Sequence, residues 1–140
     1  MKGKVLLVFS VSAALLSACT FRPSILSARS YSSGGNEFIE VRLRSEDALT
    51  LKHRQIYFSL VVVDCDGGND RFPMEPYISG QRATEFKFPV ADTAVIVRGS
   101  MPAGIYTLYH KPCVLIQGGG YLLSRAESSS IPVIKSFTTN

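Results

Sequence analysis

The most polar run of the chain, Asp64-Cys65-Asp66-Gly67-Gly68-Asn69-Asp70, is followed by Glu75, which stands twelfth counting from Asp64. Carboxylates at that spacing suggest a calcium loop, in which oxygen ligands converge on one ion. Here Gly68 takes the fifth position, where a ligand oxygen is required, and Asn69 takes the sixth, where the sharp turn needs glycine. Pro73 then interrupts any following helix. The run is therefore read as a solvated loop of turn residues, with Asp64, Asp66, Asp70 and Glu75 as candidates for contact with a partner and no metal site expected. His53 and His110 lack an adjacent carboxylate or cysteine, and no G-x-S-x-G, H-E-x-x-H or S-x-x-K pattern frames a nucleophile. No catalytic residue and no cofactor is expected, and the chain is read as a non-enzyme. The remaining reactive side chains are the cysteines at 19, 65 and 113.

Cys19 closes a distinct N-terminal segment. Lys2 and Lys4 make a positive start, and residues 5–15 form an apolar stretch. As a helix that stretch rises only about 16 Å, roughly half the hydrocarbon thickness, so it reads as a signal rather than a span. It ends in Leu16-Ser17-Ala18-Cys19, which resembles the lipobox of bacterial lipoproteins. The resemblance implies that residues 1–18 are cleaved and that Cys19 becomes the acylated N-terminus, an anchor to which each buried methylene contributes about 0.8 kcal/mol. It also implies a place in the cell envelope of a diderm bacterium. Thr20 after the cysteine favours the inner leaflet of the outer membrane, facing the periplasm. Residues 19–36, rich in Ser and Gly, read as a lipidated flexible tether with a reach of about 20 to 25 Å.

With Cys19 consumed by lipid in an oxidising compartment, Cys65 and Cys113 are left as an even pair. The reading is a disulfide closing about 48 residues and contributing roughly 4 kcal/mol in the chain-entropy model. Two separate buried thiols are the alternative.

Residues 37–140 must then position the loop and the cystine. Residues 37–44 alternate, with Ile39, Val41 and Leu43 on one face and Glu40, Arg42 and Arg44 on the other, as in a half-buried strand. Residues 55–63 are apolar on both faces and read as a central strand. Residues 84–90 alternate again, with Phe86 and Phe88 inward and Pro89 suggesting an edge. Further short strands are expected over 93–98, 105–110, 113–117, 121–124 and 131–137, with Gly118-Gly119-Gly120 as a hairpin turn. Only residues 45–53 suggest a turn of helix, with Ser45 as cap and Ala48, Leu49 and Leu51 buried. Residues 101–110 (MPAGIYTLYH) resemble the P-x-G-x-Y-x-L start of a strand in transthyretin-like and immunoglobulin-like envelope domains. The expected fold is all-β: a small antiparallel β-sandwich, immunoglobulin-like or transthyretin-like, or a small barrel of seven or eight strands.

The formal charge of +4 shrinks to about +2 once Lys2 and Lys4 leave with the signal. The remaining cations alternate with acids, as in Glu40 with Arg42, so no nucleic-acid footprint is seen. The expected function is a lipid-anchored module that binds a periplasmic protein. In size, anchor and cysteine pair the chain resembles immunity lipoproteins and lysozyme inhibitors directed at toxins or lysozyme. The alternative is an assembly lipoprotein of a secretion or pilus machine.

Overall fold

The computed structural model describes residues 20–120 and 124–136. The expected signal, Cys19, most of the strand expected over 121–124 and the end of the chain lie outside the described residues. The elements run β1 (Thr20–Phe21), β2 (Ile25–Ser33), β3 (Asn36–Arg44), α1 (Ser45–His53), β4 (Tyr57–Asp64), β5 (Phe72–Met74), β6 (Tyr77–Ile78), β7 (Gln81–Arg82), a 3-10 turn (Ala83–Glu85), β8 (Ala94–Pro102), α2 (Ile105–Leu108), β9 (Pro112–Gly119), β10 (Arg125–Glu127), β11 (Ile131–Pro132) and β12 (Ile134–Lys135). Two six-stranded sheets result. The first is ordered β1-β10-β9-β4-β5 with β11 beside β9, and the second β12-β2-β3-β8-β6-β7.

This corrects the expected all-β sandwich or barrel. The fold is mixed α/β, with two sheets and two helices among the described residues, and the sheets do not close into a barrel or sandwich. Three local causes are visible. Residues 45–53 form a full helix because Ala48 and Leu51 recur at helical spacing and are buried, whereas Leu49 is exposed. Ser45 does not cap it; its hydroxyl donates to the Ala91 carbonyl instead. Gly104, at φ 115°, turns the chain out of β8 into α2, so the expected strand over 105–110 is helical over Ile105–Leu108. Residues 84–90 lose their expected strand to the 3-10 turn and to Phe86 at φ 56°, although Phe88 is fully buried as its alternation suggested.

The expected flexible tether is also corrected. Residues 20–33 contribute β1 and β2, and β2 pairs with β3 from Ile25↔Leu43 to Ser33↔Asn36. Gly34 and Gly35 turn this hairpin at φ 58° and 79°, the left-handed pair that matches the twist of the flanking strands. Strand structure therefore begins by Thr20, seventeen residues before the expected boundary at residue 37. Sequence periodicity hid β2 because its inward positions are Ala28 and Ser30 rather than large apolar residues. Buried Ser30 is satisfied by a 2.8 Å hydrogen bond with the Tyr106 hydroxyl.

One core joins the two sheets. Ile39, Val41 and Leu43 of β3 meet Leu60 and Val62 of β4 and Val114 and Ile116 of β9 in one buried cluster. The opposite side chains of both sheets thus point away from this core. Gly118 continues β9 instead of making the expected hairpin turn. A Cβ there would lie 2.1 Å from the Tyr57 carbonyl oxygen, so the strands can approach only because the side chain is missing.

Candidate functional site

The acidic loop leads from β4 to β5, and its carboxylates are largely engaged within the protein. Asp64 Oδ1 accepts the Asp66 backbone N–H at 3.1 Å and Oδ2 accepts that of His110 at 3.2 Å. The first of these bonds, aided by the second, holds the Asp64 carboxyl below its ordinary range. Asp66 pairs with Lys111 Nζ at 2.9 Å, and its hydrogen bond raises the Lys111 pKa. Cys65 sits between these two residues and is bonded to Cys113, with Cα atoms 5.1 Å apart. The Cys65 N–H also donates to the Lys111 carbonyl at 2.8 Å. This is a corner fastened by a cystine, an ion pair and an Asx turn.

The other expected loop residues do not all join it. Asp70 is exposed on the same loop, and its charge, after burial, helps to raise the Tyr109 pKa. Glu75 is drawn away, accepting from the Tyr77 hydroxyl at 3.1 Å and facing Arg82 Nε at 3.3 Å. His53 and His110 are both exposed, on different elements. Among the described residues no three His, Cys, Asp or Glu side chains are placed to share a metal ion.

A second constellation lies on the outer face of the second sheet, assembled by register from residues distant in sequence. Arg29↔Glu40↔Arg98↔Tyr77↔Arg82 forms one row across five strands. Glu40, with only 7% of its side chain exposed, accepts from Arg29 at 2.6 Å through one oxygen and from Arg98 at 2.6 Å through the other. Burial alone would push the Glu40 carboxyl up; the hydrogen bonds from Arg98 and Arg29 outweigh it, leaving the pKa below its ordinary value. The hydrogen bond to Glu40 in turn raises the Arg98 pKa. Glu40 thus pairs across strands and not with Arg42, the neighbour suggested by sequence.

The next row carries Tyr31 stacked on Phe38, ring centroids 5.3 Å apart. Arg98 lies 5.8 Å over the Tyr31 ring, so its planar head is fixed by a carboxylate in its plane and an aromatic face beneath. Nε and Nη2 of Arg98 are engaged by Glu40, and Nη1 has no partner among the described residues. A rigid guanidinium with donors to spare is a recognition group for a carboxylate or carbonyl.

Beside it runs a groove of about 710 Å³, within the range of ligand-binding clefts. Phe38 and Ile96 present apolar surface, the Ser79–Gly80 turn forms one wall, and residues 89–91 form the other. Its shape follows from strand lengths. β8 pairs with β3 from Ala94 to Pro102 but with β6 only at Val97 and Arg98, so most of that side of β8 has no strand partner among the described residues. Ile96 is 52% exposed there. Arg42 and Arg44 lie opposite Ile96 and Ala94 and make no ion pair among the described residues, so the face is basic beside apolar.

Sequence reasoning missed this face. Its visible signal was the polar side of β3, where Glu40 precedes Arg42 and Arg44 on an otherwise half-buried strand. The chain matches no family model, no curated protein and no solved structure.

Proposed function

We propose that the chain is a lipid-anchored, periplasm-facing module that binds another protein through the groove beside β8. The supporting observation is Arg98, held by Glu40 and Tyr31 in a cleft that Phe38 and Ile96 also line. A partner fits by placing an apolar side chain against Phe38 and Ile96 and a carboxylate or carbonyl against Arg98, the usual combination of an apolar anchor with one charge-assisted bond. The lipobox-like Leu16-Ser17-Ala18-Cys19 supports the envelope location. An inhibitor or immunity protein is the form of this role suggested by size and anchor: the protein would be dispensable until its target is present.

The test is affinity capture from envelope extract with the mature protein and three variants. Ile96→Asp and Arg98→Glu are expected to lose a partner that the parent and Asp66→Lys retain. A partner retained by both groove variants and lost by Asp66→Lys would move the site to the acidic corner.

A further inference from the structure

We propose that the edge around β1 rests directly on a bilayer with anionic headgroups, held by Arg22, Arg54 and Arg125 with Tyr57 at the interface. This rests on the reading that Cys19 is acylated. Thr20 follows Cys19 in the chain and is already in a strand, paired in parallel with Arg125. One peptide unit spans about 3.8 Å, so acyl chains on Cys19 would bring β1 to the headgroups with no slack between.

The surface at that point has the chemistry of a membrane contact. Arg22 follows Phe21, Arg54 lies 5.8 Å over the Phe21 ring, and Arg125 is the strand partner of Thr20. All three arginines are exposed, and none makes an ion pair among the described residues. The row continues from Thr20 through Arg125 and Gly119 to Tyr57, which is 58% exposed and meets Phe86 edge-on at 5.0 Å. Three strand spacings make that row about 14 Å long. Basic side chains flanking an exposed aromatic suit an interface of anionic headgroups over acyl chains, where Tyr sits at headgroup level. Glu127 lies on the same face, one strand repeat farther along β10, and Glu85 precedes Phe86; neither pairs with these arginines.

The test is amide hydrogen exchange of the mature protein, isolated from cells and reconstituted in vesicles rich in phosphatidylglycerol or of phosphatidylcholine alone. The parent is expected to gain protection around residues 21–22, 54–57 and 125 on the anionic vesicles only. Replacing Arg22, Arg54 and Arg125 by Gln should weaken docking roughly fivefold per arginine, while acylated protein stays with the vesicles. Intact mass separates the two claims. Acylated protein whose exchange is the same on both vesicles, or unchanged by the three substitutions, overturns the docking alone; mature protein without acyl chains overturns the anchor and the docking with it.

Discussion

Two carboxylates, Asp64 and Glu40, both have pKa values held below the ordinary range by hydrogen bonds that outweigh burial, but the donors differ. Asp64 is half-buried and its charge is met by backbone N–H groups two residues and one loop away, so it shapes a turn. Glu40 is buried, and two arginines from flanking strands outweigh the cost of that burial, so it shapes a surface. Clustering in sequence thus marked the residues that hold the corner together. Strand register, not sequence proximity, brought Arg29, Glu40 and Arg98 together on the outer face of the second sheet.

The largest effect should come from the fastening of the corner. Replacing Cys65 and Cys113 by Ser is expected to cost about 4 kcal/mol, since it reopens a long loop in the unfolded chain, and urea unfolding of the variant against the parent reads it. A loss below ~1 kcal/mol would show the cystine to be incidental to the corner.

The carboxylates themselves should separate next. Glu40→Gln leaves two guanidinium groups without a counter-charge and should cost about 2 kcal/mol. Asp64→Asn keeps one acceptor, for the Asp66 N–H that makes the turn, and gives up only the longer bond from His110, so it should stay within ~1 kcal/mol. Equal losses would erase the distinction.

Acid offers an independent reading. The folded pKa of Glu40 is depressed, so its contribution is fully present above the ordinary value of 4.5 and is lost as pH falls through the lower folded value. The stability gap between parent and Glu40→Gln, followed by urea midpoints, should therefore narrow as pH drops below 4.5. A gap that widens in acid would reverse the sign and contradict the double arginine clamp.

The smallest difference is the sharpest test of register. Arg98→Gln should cost about 1 kcal/mol, and Arg42→Gln should fall within about 0.5 kcal/mol of the parent. Sequence adjacency on one strand face makes the opposite forecast.

Much of the framework was legible. The alternation of Ile39, Val41 and Leu43 marks β3, the apolar residues 57–63 mark most of β4, and the cystine follows from Cys65 and Cys113. What stayed hidden depends on long-range packing. β2 has Ala28 and Ser30 as its buried side chains, too small or too polar to give a period. The helix over Ser45–His53 needed tertiary burial of Ala48 and Leu51 to outlast its short length. The clamp joins residues 29, 40 and 98, and nothing local to any one of them announces the other two. The groove follows from the brevity of β6, whose two residues leave most of that side of β8 without a strand partner among the described residues.

The most direct measurement is photo-crosslinking in living cells, with the photoreactive residue placed at Ile96 in the groove or at Asp66 on the acidic corner. A covalent adduct to one partner protein from Ile96, with none from Asp66, is the expected result. Adducts from Asp66 alone would contradict the binding role given to the second sheet.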